Sequence, residues 1–128
     1  MMLAMRLKRE REIKSIDGPS VVGTIVIENG EVTWFYKSSA GQESVAFRIT
    51  EDDLEGVTSI GNRAFWGLTG ITQLTIPEGV TIGEDAFYGC TGITQLTIPE
   101  GVEIGERAFF VCTGITQLTI PEGVEIGE

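Results

Sequence analysis

Three stretches of this chain are close to one sentence written three times: GNRAFWGLTGITQLTIPEGVTI (61–82), GEDAFYGCTGITQLTIPEGVEI (83–104) and GERAFFVCTGITQLTIPEGVEI (105–126). The period is 22 residues, and the second and third copies agree at 19 of 22 positions. A unit this short cannot bury its own apolar face, so each copy must stack on its neighbours. That requirement constrains the fold more than any other feature of the chain.

Within one copy, residues 71–76 (ITQLTI) alternate and are rich in β-branched types, which predicts a short strand. Pro77 follows and has no N–H to give a ladder, so pairing should stop there. Glu78 and Gly79 form a turn, and Val80 and Ile82 return to the interior in a second extended stretch. Gly83 opens another turn, and residues 84–88 (EDAFY) place Ala86 and Phe87 inside in a helical turn. The inward set is then Ile71, Leu74, Ile76, Val80, Ile82, Ala86, Phe87 and Cys90, with stacked columns Phe65–Phe87–Phe109 and Leu74–Leu96–Leu118.

The first third of the chain reads differently. Residues 2–16 (MLAMRLKREREIKSI) are helix formers without Gly or Pro, and the apolar positions Leu3, Leu7, Ile13 and Ile16 predict a loosely amphipathic helix. Asp17, Gly18 and Pro19 end it. Two β-rich runs, 21–28 (VVGTIVIE) and 31–37 (EVTWFYK), flank Asn29-Gly30, the pair that suits a two-residue hairpin turn. Trp34 and Tyr36 share one face of that strand and Phe35 takes the other. A third strand is expected over 44–49 (SVAFRI), with 46–49 standing where a copy has its LTI strand. Residues 1–53 form a cap on the first coil, and 54–128 a stack of about three 22-residue coils that stops at the entry to a fourth.

The pattern I-G-x-x-A-F-x-x-C-x-x-[IL]-T-x-L-x-I-P-x-x-V is carried by Ile82, Gly83, Ala86, Phe87, Cys90, Ile93, Thr94, Leu96, Ile98, Pro99 and Val102. In tandem copies over 54–128 it resembles the BspA-like leucine-rich repeats. That family runs at about 23 residues with Ser before the Ile-Gly pair; here only Ser59 keeps it, and the later copies are the 22-residue variant. The resemblance implies an α/β repeat fold: a right-handed leucine-rich-repeat solenoid with short parallel strands, under an N-terminal helix and β-hairpin cap. It also implies a protein-binding role, because such repeats serve adhesion or protein contact in bacterial surface proteins, protist parasites and giant viruses. The short, near-invariant period is most similar to the giant-virus group.

Charge and composition narrow the function. Net charge is −10; residues 61–128 hold nine acids against two bases, which would repel phosphate and disfavours nucleic acid. The basic run Arg6, Lys8, Arg9, Arg11 and Lys14 is interrupted by Glu10 and Glu12 and reads as a solvated face. The apolar runs are all short of the ~18 residues of a membrane span, and the N-terminus lacks the h-region of a secretory signal, so an intracellular chain is expected. There is no histidine, which removes His-dependent triads, and no phosphate-binding glycine motif occurs. We therefore expect no catalytic, cofactor or metal site. Glu78, Glu100 and Glu122 recur once per coil as a solvated acidic ladder.

Cys90 and Cys112 share one position in consecutive copies. Stacked coils lie about 4.7–4.9 Å apart, inside the Cα range of a disulfide at roughly 4.4–6.8 Å. Leu68 occupies the same position in the first copy and marks an apolar slot, so buried reduced thiols are expected over a bridge or a metal pair.

Three surfaces are candidates for contact. In leucine-rich repeats the strand sheet lines the concave face, which here would carry Gln73, Gln95 and Gln117; those columns do not vary between copies. Variation falls on a flank: Trp66, Tyr88 and Phe110 in one column, and Arg63, Asp85 and Arg107 in another. The aromatic column suits either a recognition stripe or half-buried packing beside the Phe column. The last copy would leave Phe109, Leu118, Ile120, Val124 and Ile126 uncovered, an end suited to self-association as a two-fold dimer.

Overall fold

The computed structural model describes residues 7–37 and 45–120, together with the backbone of 125–126. Each coil contributes two short strands. The strand at the ITQLTI segment appears as β6 (Ile71–Thr75), β8 (Gln95–Thr97) and β10 (Gln117–Thr119). The second extended stretch appears as β5 (Ser59–Ile60), β7 (Thr81–Ile82), β9 (Glu103–Ile104) and β11 (Glu125–Ile126). Neighbouring coils pair in parallel and in register, Leu74 with Leu96 and Ile82 with Ile104. The result is a β-solenoid of about three turns, as the 22-residue period demands.

Before the coils come β1 (Lys8–Lys14), β2 (Val21–Glu28), β3 (Glu31–Lys37) and β4 (Phe47–Ile49). The antiparallel β1–β2–β3 meander continues one solenoid sheet, in the order β1-β2-β3-β5-β7-β9-β11. β4 begins the other, β10-β8-β6-β4, and pairs in parallel with the strand that carries LTI, Ile49 level with Leu74 rather than with Ile76. The hairpin turn is also as expected, with Asn29 at φ 52° and Gly30 at φ 82°, the positive values this turn needs.

The helix expected over 2–16 is not present among its described residues, 7–16. Residues 2–6 lie outside the described residues, Lys8–Lys14 is a strand, and no α-helix occurs among the described residues. The α/β class and the helical part of the cap therefore give way to strands. Helix propensity spans only tenths of a kcal/mol per residue, whereas β1 gains a full antiparallel ladder on β2, from Lys8–Glu28 to Lys14–Val21. Alternation then does the sorting. Arg9, Arg11 and Ile13 share the face turned to the first coil: Ile13 is buried, Arg11 Nε binds Asp53 at 2.9 Å, and Arg9 donates to the Glu55 carbonyl. Past its end, Ser15 bridges to Phe47 and the Ile16 N–H donates to Ala46, so this one segment joins both sheets. The solvent face of β1 is charged, which suits a sheet edge.

The eight inward residues from Ile71 to Cys90, one full period across the first and second copies, are all at most 1% exposed. Phe65, Phe87 and Phe109 stack at 5.0 and 5.2 Å between ring centroids. The cap extends this column with two rings of its own, Phe35 at 5.9 Å from Phe65 and Phe47 at 5.5 Å from Phe35. A bulge at Thr33 makes that possible. The register with β2 passes from Val26–Trp34 to Ile27–Val32, so Val32 and Phe35 both face inward while Trp34 and Tyr36 face solvent.

Candidate functional site

The third side of each coil is made of turns. In the segment 61–68, the N–H groups of Ala64, Trp66 and Leu68 donate back three residues, to Gly61, Arg63 and Phe65. The alternate ones, on Arg63, Phe65 and Gly67, donate forward to Glu84, Ala86 and Tyr88 of the next coil at 2.7–3.0 Å. Asp85, Phe87 and Gly89 repeat this onto Glu106, Ala108 and Phe110. The helical turn expected over 84–88 is thus a series of tight turns whose free N–H groups form a third inter-coil ladder. Backbone groups are satisfied here as fully as in the sheets.

This local path decides which side chains point out. Arg63, Asp85 and Arg107 hold φ at 61°, 57° and 55°, a left-handed kink that turns position three of every copy away from the core. Phe65 and Phe87 go in; Trp66, Tyr88 and Phe110, one residue later, go out. Trp66 and Phe110 are each 55% exposed. Tyr88 lies between them, stacked on Trp66 at 5.8 Å and tilted against Phe110 at 5.6 Å.

The charged column beside them alternates in sign. Asp85 is buried and sits between the two arginines: Arg107 Nε approaches it at 3.0 Å and Arg63 Nε at 3.8 Å. Arg107 also meets Glu106 at 3.3 Å and Glu84 at 3.9 Å, and Asp85 as the nearest partner raises its pKa. Three identical charges stacked at coil spacing would repel, and the alternation removes that cost. Between the columns runs a groove of about 440 Å³ lined by Arg63, Trp66, Asp85, Tyr88 and Arg107. A second, more polar groove of about 750 Å³ lies between β1 and β4, with Glu12, Lys14, Arg48 and Asp53 in its walls.

The family model described as "BspA type Leucine rich repeat region (6 copies)" matches residues 42–128, about two thirds of the chain. The chain belongs to the BspA-type leucine-rich repeat family. Among solved structures, a leucine-rich repeat protein of T. pallidum has the same fold, with a TM-score of 0.61 at 21% identity over 92% of this chain. The chain spans about half, 51%, of that protein's length. No curated protein matches it significantly.

In this BspA-type solenoid the other expected surfaces are placed as follows. Gln73, Gln95 and Gln117 stand in register on one outer sheet face, Gln73 half-buried and the other two exposed. Their neighbours Thr94 and Thr116 cap the coil before, each hydroxyl donating to the equivalent threonine carbonyl at 3.2 and 3.4 Å. These two threonine hydroxyls tie each coil to the one before it. At the last coil Phe109 and Ile120 pack partly against the core, and Leu118 is 55% exposed where Leu96 is buried. The side chains of Val124 and Ile126 lie outside the described residues. Cys90 and Cys112 are free thiols, Cys90 buried and Cys112 half-buried. No group of three or more metal-ligating side chains occurs among the described residues, and no helix there is long and apolar enough to cross a membrane.

Two features escaped the sequence reading. One is that Phe35 and Phe47 belong to the repeat's own ring column; the residue types were visible, but the bulge that aims Phe35 was not. The other is the Arg9 and Arg11 latch onto the first coil, whose signal was the period-two placement of Arg9, Arg11 and Ile13.

Proposed function

We propose that this chain is a non-enzymatic protein–protein interaction module that meets its partner on the turn flank, across Trp66, Tyr88 and Phe110. The observation that carries this is a column of three aromatic side chains, two of them more than half exposed, beside a groove walled by ion-paired arginines. Aromatic and arginine side chains are the types that interface centres favour. The variation between copies supports the same reading. Strand faces repeat one chemistry coil after coil, while the flank presents Trp, Tyr and Phe beside Arg, Asp and Arg. A surface with distinct chemistry along its length can tell one partner from another; a uniform one recognises only its own period.

The test is a paired capture. Immobilised wild-type chain and the double variant Trp66→Ala, Phe110→Ala are exposed to the same extract of the source cells, and the captured proteins are compared. Both side chains are half in solvent, so the variant loses about 1–2 kcal/mol of ring contact with Tyr88 and stays folded, which its melting midpoint checks. The expected result is a protein held by wild type and bound at least about tenfold more weakly by the variant. Equal capture by the two chains overturns this reading. Tyr88→Ala gives the complementary result: lower stability with undiminished capture would make the column packing alone.

A further inference from the structure

Cys90 and Cys112 occupy one position in consecutive coils whose backbones are hydrogen-bonded neighbours, Gly89 N–H donating to the Phe110 carbonyl at 2.8 Å. Each thiol reaches back one coil. Cys90 donates to the Phe65 carbonyl and Cys112 to the Phe87 carbonyl, both at 3.1 Å. The Phe87 carbonyl also accepts the Cys90 N–H, at 3.2 Å. The sulfur of Cys112 and the amide of Cys90 therefore converge on one oxygen, and the Cys112 sulfur already lies against the coil of Cys90. Coil spacing of about 4.7–4.9 Å falls within the Cα separation of a disulfide.

The two sulfurs are unequal. Cys90 is fully buried, and its neighbour Cys112, together with burial, pushes its pKa far above the ordinary thiol range. Cys112 is half-buried, and the neighbouring Cys90, its side chain foremost, holds it below the ordinary thiol value. A half-buried, reachable sulfur beside a fully buried one has the division of labour of a reacting cysteine and its resolving partner.

We propose that Cys90 and Cys112 form a reversible thiol–disulfide site, oxidised by a peroxide to a bond that links two consecutive coils. The Cys112 thiolate attacks a peroxide oxygen; the O–O bond breaks, leaving a sulfenic acid on Cys112 and releasing hydroxide (or the alkoxide of an organic peroxide). Cys90 sulfur then attacks Cys112 sulfur. The S–S bond forms as the S–O bond breaks, and the Cys90 proton leaves with the departing oxygen as water. Two thiols lose two electrons to the peroxide, and an external dithiol returns them. In the first coil Leu68 fills this slot, so the device joins only the second and third copies. It is independent of the flank and of its partner.

The test treats the intact chain with hydrogen peroxide at near-stoichiometric amounts, followed by alkylation in denaturant without reductant. The expected product takes up no label, has lost two hydrogen atoms in intact mass, and regains two labelled sites after dithiothreitol. Trypsin cutting at Arg63 and Arg107 should then yield peptide 64–107 bound to the peptide that begins at Ala108. In Cys90→Ser the reaction stops at a Cys112 sulfenic acid that dimedone traps; in Cys112→Ser the remaining thiol stays unreacted at the same dose. Should serine at the buried site unfold the chain, Cys90→Leu copies the residue of the first coil. Disulfide-linked dimers, two thiols still free after treatment, or a Cys90 in Cys112→Ser that reacts as fast as Cys112 does in Cys90→Ser would each overturn the proposal.

Discussion

Two aromatic columns run side by side through this molecule at nearly the same spacing, and they are built for opposite ends. The inner one, Phe47–Phe35–Phe65–Phe87–Phe109, keeps a single residue type over five rings at 5.0–5.9 Å. The outer one, Trp66–Tyr88–Phe110, lies one residue further along the same turns at 5.6–5.8 Å and changes type at every step. Stacking energy is available to both. What differs is the surroundings: an inner ring must fill a slot whose shape its neighbours repeat, and a change of size leaves a void or a clash. An outer ring has solvent on one side and can vary without disturbing the stack. The difference locates stability in the invariant column and leaves the variable one free for recognition.

The sharpest way to break that comparison is to truncate one ring of each column in the same coil. Phe87 is fully buried, and Phe87→Ala should cost about 3–5 kcal/mol, the range for removing a buried aromatic. Phe35→Ala should cost a similar amount although it lies in the cap, because it continues the same stack. Tyr88→Ala, half-buried with its ring in the outer column, should cost about 1 kcal/mol. Urea titration with a common slope measures all three. A Phe35→Ala loss as small as that of Tyr88→Ala would show that the cap is an appendage and the column stops at Phe65.

How much of this was legible in the chain follows the same division. The period dictated stacking, and the inward set, the in-register ladders and the place of β4 all follow from residues that repeat. Asn29-Gly30 disclosed its turn because only that backbone chemistry suits it. Lys8–Lys14 was misread because its strand state is conferred by β2 and by Asp53 and Glu55, partners distant in sequence, while its own residues favour a helix weakly. The bulge at Thr33 and the forward-donating N–H groups of the turns are equally invisible, since no side chain encodes them. On the flank, the variable positions could be picked out from the copies alone. That Asp85 is buried between arginines of two other coils needed the fold.

A smaller effect tests the charged half of the flank. Asp85 is buried, lies at φ 57°, and is bound by Arg107 at 3.0 Å. Asparagine tolerates that backbone conformation, so Asp85→Asn removes the charge without straining the turn. Arg107 then loses its nearest partner while Glu84 and Glu106 remain. The expected loss is about 1–2 kcal/mol, toward the lower end because the arginines are well exposed. Much of it should persist at high salt, since the carboxylate is screened less than a surface group. A loss that vanishes in 1 M salt, near the ~3 Å screening limit, would make the column a surface pair with no part in holding the turn.

The smallest predicted effect has the opposite sign. Gly67 and Gly89 take φ at 73° and 74°, and the third copy puts Val111 at the same place, at φ 64°. A β-branched side chain in the left-handed region is strained, at a cost of about 1–3 kcal/mol. Glycine relieves that strain but gives the unfolded chain more freedom, which offsets about 0.5–1 kcal/mol. Val111 is 42% exposed, so its methyl groups contribute little burial. Val111→Gly should therefore stabilise the chain by about 1 kcal/mol, seen as a rise of a few degrees in melting midpoint. The inner column offers no such gain, because every ring there already has its slot. If Val111→Gly instead lowers the midpoint, the strain at this turn is repaid by packing against Phe110, and the outer column carries more of the fold's stability than its exposure indicates.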